Sequence, residues 1–567
     1  YDANTNALAA DITLGNLVSG EALNHSGTAT IGSANAGSYT ISNLTGITIV
    51  DGSGGAASNY TLTGGTHNFT VNRRVVGVSG TRLYDATTNA VASDLSTHAN
   101  LVGSETLNLS GTGTIASKDV GSSKTVTVGT LALADGSNGG LAANYTLSGG
   151  THQLTVNQRP LNATLVRQYD GTTNAAGSTL SSLDALQGGE TLTMTGSGTA
   201  ASANVANGIA MSSNGNLALA DGTGAASNYS LNSAAINITQ RVLTSSGSKI
   251  YDANTNALAA DITLGNLVSG EALNHSGTAT IGSANAGSYT ISNLTGITIV
   301  DGSGGAASNY TLTGGTHNFT VNRRVVGVSG TRLYDATTNA VASDLSTHAN
   351  LVGSETLNLS GTGTIASKDV GSSKTVTVGT LALADGSNGG LAANYTLSGG
   401  THQLTVNQRP LNATLVRQYD GTTNAAGSTL SSLDALQGGE TLTLSGSGTA
   451  AGANVANGIT MSSNGNLALA DGTGLASNYS LNSTVINIAK RVLNSSGSKL
   501  YDANTNALAG AITLSNLVSG EAVNHSGTAT TSSANAGSYT ITNLAGITIA
   551  DGSGGTARAG KRLAGAK

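Results

Sequence analysis

The chain has 567 residues and a formal net charge of −6, yet only 9% of its residues are charged, against roughly 25% in an ordinary soluble domain. Gly contributes 79 residues and Cys none, which excludes a disulfide scaffold and any Cys-based zinc or iron–sulfur site. No apolar run approaches the roughly 18 residues of a spanning helix, the acidic balance gives no general attraction to nucleic acid or anionic lipid, and a nearly charge-free chain does not carry the low-hydrophobicity, high-charge signature of disorder.

The chain opens on Tyr1-Asp2, and the same pair returns at Tyr84-Asp85, Tyr169-Asp170, Tyr251-Asp252, Tyr334-Asp335, Tyr419-Asp420 and Tyr501-Asp502. The spacings are 83, 85, 82, 83, 85 and 82, so three module types recur in a fixed cycle. Residues 1–193 and 251–443 are identical, and 11 differences separate 1–250 from 251–500, among them Met194/Leu444 and Ala225/Leu475. So close a copy points to recent duplication. Each module closes on an alternating apolar segment and a basic seam, as in Val71-Asn72-Arg73-Arg74, Val156-Asn157-Gln158-Arg159-Pro160 and Ile238-Thr239-Gln240-Arg241. Boundaries drawn there give modules at 1–72, 73–157, 158–239, 240–322, 323–407, 408–489 and 490–567. The first module then lacks its opening strand, and the chain, starting mid-module without Met, reads as a fragment of something longer.

Within the second module the period is two. Leu107 and Leu109, Val126 and Val128, Leu131 and Leu133, Tyr145 and Leu147, then Leu154 and Val156 alternate with Thr, Asn and other small residues. That pattern predicts half-buried antiparallel strands. Turn clusters separate them at Ser110-Gly111-Thr112-Gly113, Asp135-Gly136-Ser137-Asn138-Gly139-Gly140 and Ser148-Gly149-Gly150. Six or seven strands in some 83 residues indicate an all-β fold, a small Ig-like β-sandwich, with a β-grasp-like mixed fold as the alternative. Large residues are scarce, so each module is expected to bury a thin core. Compact beads of this size would be about 30 Å across, and seven in line would span on the order of 200 Å, a rod or stalk.

Few residues offer chemistry. The Tyr-Asp pairs head every module, but seven identical active sites would each need a second recurring acid or base. The reading is therefore structural: the Tyr ring packs on the sheet with its hydroxyl bonded, and the Asp fixes the following turn. Asp51, Asp135 and Asp221, in loops such as Asp51-Gly52-Ser53-Gly54-Gly55, are weak calcium candidates, since each loop supplies one carboxylate where good sites gather several. Gly121-Ser122-Ser123-Lys124-Thr125 lacks the Gly before Lys and the following helix of a phosphate loop. His25 falls at an apolar-alternating position and is expected to be partly buried and bonded, while His67 and His152 have no equivalent in the third module. Asn-x-Ser/Thr sites occur at Asn24, Asn43, Asn59, Asn68, Asn144, Asn162, Asn228 and Asn237, and composition accounts for most of them. The seventh module departs from its template after Gly555, where Arg558, Lys561, Arg562 and Lys567 make a basic tail. Without its last strands it is expected to be frayed or unfolded. No catalytic residue, no cofactor and no nucleic-acid partner is indicated.

The recurring elements resemble the YDG-type repeat of filamentous-haemagglutinin-like bacterial surface proteins. The resemblance lies in Tyr169-Asp170-Gly171-Thr172-Thr173-Asn174-Ala175 and Gly188-Gly189-Glu190-Thr191-Leu192. It continues in Asp119-Val120-Gly121 through Val128, and in Ala143-Asn144-Tyr145-Thr146-Leu147. Most modules depart from it in having Tyr-Asp-Ala. The resemblance implies extracellular tandem modules of an adhesin, associated with the outer membrane through a secretion partner. It suggests a non-enzymatic stalk projecting a distal tip for cell adhesion or biofilm formation. The alternative is that the repeats themselves bind a host glycan or protein, weakly and many times. Exposed aromatic residues would be the mark of that alternative.

Overall fold

The computed structural model describes residues 1–552, so the basic tail at Arg558, Lys561, Arg562 and Lys567 lies outside the described residues. The chain divides into two compact units. One comprises Tyr1–Ser245, Leu264–Ser276 and Thr298–Thr316; the other comprises Ser246–Thr263, Gly277–Ile297 and the chain from His317 onward. All regular structure described is strand and short 3-10 turns, and the protein is a tandem array of two-sheet, Ig-like β-sandwich modules.

The second module, in the first unit, shows the pattern. Its main sheet runs Asn89–Val91, Thr112–Ile115, Gly121–Thr127, Gln153–Asn157, Gly77–Leu83 and Thr97–Ala99 in spatial order. A smaller sheet pairs Leu107–Ser110 with Ala132–Asp135. Between the sheets lie Val76, Val78, Leu95, Leu107, Ile115, Val126, Leu131, Leu154 and Val156, all buried. Of the residues picked out by the period of two, Leu107, Val126, Leu131, Tyr145, Leu147, Leu154 and Val156 are buried, and Leu109, Val128 and Leu133 are partly buried.

One strand passes between the sheets at a glycine. Gly111 sits between Leu107–Ser110 and Thr112–Ile115 with φ +85°, and a Cβ there would meet Thr130 O at 2.1 Å. In the first module the two halves are one strand, Leu23–Ile31, bent at Gly27 with φ +102°. Only glycine combines that backbone with so close a neighbouring chain.

The expectation of antiparallel pairing throughout needs a correction. The opening strand Gly77–Leu83 and the closing strand Gln153–Asn157 run parallel, register Gln153 to Ser79 and Asn157 to Leu83. The third module repeats this over Arg159–Gln168 and Tyr229–Thr239. Parallel first and last strands have a consequence for position. The opening strand ends, and Tyr84 follows, at the same end of the module from which the chain leaves for the next one; Tyr84 N donates to Asn157 O at 2.9 Å.

The duplicated sequence shows what the opening strand contributes. Phe69 of the first module, which has no such strand, is half-buried. Its copy Phe319 is fully buried and lies against the backbone of Gly247. The seventh module, expected to be frayed or unfolded, keeps a core of Ala507, Ala509, Ile512, Leu514, Ala529 and Ile547, so it is not unfolded throughout. Its strand Ile541–Asn543 is shorter than the equivalent Gly37–Asn43 of the first module. In the first module that strand leans on Asn68–Val71.

Candidate functional site

At several places the thin cores of neighbouring modules run together. The apolar cluster of the second module continues into the third through Tyr84, Leu161, Leu192 and Tyr229, all buried. A second cluster joins Leu165, Tyr169, Ile236 and Ile238 to Leu243, Leu273 and Tyr310. The place where one module meets the next is therefore the most built part of the protein, and the recurring Tyr-Asp pair lies at its centre.

At the joint between the second and third modules, Tyr84 leaves its own module. Its hydroxyl donates to Glu190 Oε1 at 2.7 Å, and Tyr229, also of the third module, donates to Oε2 at 2.8 Å. The two rings meet edge to face, 5.3 Å apart at 76°, an arrangement favoured by the ring quadrupoles. Next to Tyr229, Asn228 is buried; its Nδ2 donates to Asp119 Oδ1 at 2.9 Å and its Oδ1 accepts Val120 N at 2.8 Å. The seam arginine completes the joint, Arg159 Nε donating to Tyr84 O at 2.8 Å.

The same set recurs. In the first unit Tyr1 and Tyr145 share Glu105, each at 2.6 Å, and Tyr169 and Tyr310 share Glu271 at 2.6 and 2.7 Å. In the second unit Tyr251 and Tyr395 share Glu355, Tyr334 and Tyr479 share Glu440, and Tyr419 donates to Glu521. Asn144, Asn309, Asn394 and Asn478 repeat the asparagine clasp on the preceding module. Arg74, Arg241, Arg324, Arg409 and Arg491 hold the carbonyl of the preceding Tyr. Asn59, Tyr60 and Glu21 of the first module, where no preceding Tyr is present, still bring Tyr60 to Glu21 at 2.6 Å. Asn59 is exposed there, and its copy Asn309 is buried. The glutamate and the later tyrosine of a module are thus paired within that module.

The surroundings keep the phenols neutral. Burial first, then the bond to glutamate, pushes Tyr1 and Tyr169 up to about 12. Burial likewise pushes Tyr229 up to about 12, against the opposing effect of the Gln187 N–H. Glu190 is held below its usual value: burial, the largest single influence, raises it, but Lys118, Tyr84 and Tyr229 together outweigh that. Both oxygens of each shared carboxylate are taken by phenols inside an apolar contact. Such a group can tie two modules together.

The Asp of each pair does fix the turn. Asp85 Oδ1 accepts Thr87 N at 3.0 Å and Asp170 Oδ1 accepts Thr172 N at 2.9 Å. Each also pairs with a base three residues earlier: Asp85 with Arg82, Asp170 with Arg167, Asp252 with Lys249, Asp335 with Arg332, Asp420 with Arg417 and Asp502 with Lys499. Asp2 accepts Asn4 N at 3.2 Å. Tyr501 is largely exposed. The expectation that the Tyr packs on its own sheet without a recurring acid beside it is corrected: the acid is the glutamate of the following module, 102 to 106 residues away. Reading each module alone misses it. The signal available was that Glu21, Glu105, Glu190, Glu271, Glu355, Glu440 and Glu521 recur in step with the tyrosines in a chain of few charges.

The remaining candidates serve the fold. Asp51, Asp135 and Asp221 each accept a backbone N–H at 2.7 Å across their loop, from Ala57, Ala142 and Ala226. Among the described residues no three His, Asp or Glu side chains gather as a metal site. His25 Nε2 lies 2.8 Å from both Ala9 O and Ile12 O, and His152 Nε2 2.8 Å from Leu147 O. Asn144 and Asn228, formally glycosylation sites, are buried in joints.

A model of the YDG domain matches residues 70–155, 151–237, 235–317, 320–404 and 401–486. No curated protein matches the chain. Among solved structures, the crystal structure of the N-terminal eight Ig domains of Down Syndrome Cell Adhesion Molecule isoform 1.30.30 aligns at 7% identity over 87% of this chain and 80% of that one. Its TM-score of 0.11 establishes no shared arrangement.

Proposed function

Because the chain belongs to the YDG domain family, a tandem array of which fills most of its length, we propose that it is the non-enzymatic repeat stalk of a large secreted or surface-bound bacterial adhesin. In this reading the chain is exported through an outer-membrane secretion partner and carries a distal tip for adhesion or biofilm formation. The observation that supports it is the recurring joint. The chain spends its scarce Tyr, Glu and Arg residues on linking one module to the next. Couplings of that kind transmit force and hold neighbouring modules in a set relation.

The alternative, in which the repeats are themselves a many-copy adhesive surface, draws less support. Its mark would be exposed aromatic residues, and Tyr84, Tyr145, Tyr169, Tyr229, Tyr251, Tyr310, Tyr334, Tyr395, Tyr419 and Tyr479 are buried. Binding of the full chain to host cells and to a glycan array, compared with a chain shortened by one three-module cycle, separates the two. A stalk gives no binding from either chain. Binding that rises with module number contradicts the stalk and favours the adhesive surface.

A further inference from the structure

The joints share one plan but differ in detail, and the differences follow module type. In second-type modules the edge that meets the next module carries Lys118-Asp119 or its copy Lys368-Asp369. First-type modules have Ala34-Asn35 and Ala284-Asn285 there, and the third module has Ala203-Asn204. Lys118 Nζ lies 2.6 Å from Glu190 Oε1 and 5.8 Å over the Tyr84 ring, and Lys368 holds Glu440 and Tyr334 at the same two distances. Glu190 and Glu440 are each 8% exposed at the side chain. Among the described residues, the shared carboxylate receives a lysine as well as two phenols only where a third-type module follows a second-type one.

Shape follows the same division. Ala86, after Tyr84-Asp85, faces Gly188; a Cβ on Gly188 would lie 3.0 Å from that of Ala86, and Gly438 stands likewise 2.9 Å from Ala336. Where a third-type module precedes a first-type one, the position of Ala86 is Gly171 or Gly421, and the facing residue is Val268 or Val518. A Cβ on Gly171 would meet Val268 Cγ1 at 2.8 Å. At these two kinds of joint an alanine thus stands by a glycine, and a glycine by a valine.

We infer that the joint faces are keyed, so that the leading face of a third-type module, Gln437–Glu440 with Asn478 and Tyr479, specifically recognises the trailing edge of a second-type module, Tyr334–Ala336 with Lys368-Asp369. The partner this surface fits is a YDG module bearing a lysine–aspartate pair just ahead of the strand equivalent to Gly121–Thr127. The order of modules is then written in the joints and does not depend on chain connectivity alone. A buried carboxylate offered a first-type edge would keep its phenols and lose its cation, and Asn478 would meet Asn285 in place of the Asp369 carboxylate.

Two deletions within the full chain test this. Removing 323–407 seats a third-type module on a first-type edge; removing 158–407 seats the same module on its native second-type edge. Hydrogen exchange at Leu436–Glu440 is expected to be about tenfold faster in the first chain than in the second. Adding Ala284→Lys and Asn285→Asp to the first chain is expected to restore slow exchange. Equal protection in both deletions, or no recovery with the two substitutions, overturns the keying and leaves the stalk reading standing. Should the first deletion lose protection throughout, Lys368→Ala in the intact chain decides: exchange at Leu436–Glu440 is expected to quicken while that at Leu101–Glu105 stays the same, and an unchanged Leu436–Glu440 overturns the inference.

Discussion

Replacing Tyr169 by Phe takes one hydroxyl from a joint while the ring stays in place. The ring lies edge to face with Tyr310 at 5.4 Å and 78° and is buried, so the substitution removes little apolar contact. What is lost is the 2.6 Å bond to Glu271 Oε1, leaving Tyr310 on Oε2 at 2.7 Å. A hydrogen bond to a charged group contributes about 1.5–3 kcal/mol. Opening of this joint is therefore expected to become roughly ten- to a hundredfold more frequent, at about 1.4 kcal/mol per factor of ten. Hydrogen exchange of the intact chain reads this at Val268 N, which donates to the Tyr310 hydroxyl at 3.0 Å, and at Glu271 N, which donates to Val268 O at 3.0 Å. Tyr501→Phe, at a largely exposed ring, is the control and is expected to change exchange little. Tyr84→Phe should have the smaller effect of the two joint variants, because Glu190 keeps Lys118. If Tyr169→Phe behaves like Tyr501→Phe, the hydroxyl does not hold the joint.

Ala253 has φ +61° at the position where Gly171 has φ +78°. Ala253→Gly relieves that left-handed alanine and is expected to stabilise its module by about 1 kcal/mol, read as slower exchange around the turn. Gly111→Ala forces a Cβ to within 2.1 Å of Thr130 O, and a loss of roughly 2–4 kcal/mol localised to the second module is expected. Alkaline pH should open the joints. Tyr169 and Tyr229 are raised in the folded state to about 12, so their contribution is fully present below the ordinary tyrosine value near 10 and is lost as pH climbs through about 12. Tyrosinate absorbance and β-sheet circular dichroism should change together over that interval. On the acid side Glu190 is depressed, so its contribution is present above the ordinary glutamate value and is lost as pH falls below it. Lys118→Ala should move that acid loss to higher pH, measured by exchange at Gln187–Glu190.

Much of the single module was legible in the sequence, because its information is local. Alternation of Leu154 and Val156 with Thr155 names the buried face, and Asp85 two residues before Thr87 names the turn. The parallel pairing of opening and closing strands was not legible, since alternation reads the same in either direction. That one fact relocates the tyrosine. Once Gly77–Leu83 ends where the module ends, Tyr84 lies at the border and its partner is in the next repeat. The role of Tyr-Asp-Ala in place of Tyr-Asp-Gly becomes physical in the same way. The third position is left-handed whether Ala86 or Gly171 fills it, and what the neighbouring module presents, Gly188 or Val268, matches the choice.

The central claim is that the repeated tyrosine couples each module to the next. Single-molecule extension of the full chain tests it against a variant in which Tyr84, Tyr169, Tyr251, Tyr334 and Tyr419 are all replaced by Phe, with circular dichroism confirming that both retain their strands. The account expects the variant to unfold module by module at clearly lower force, while the unmodified chain resists as coupled neighbours. Indistinguishable force records from the two chains would contradict it.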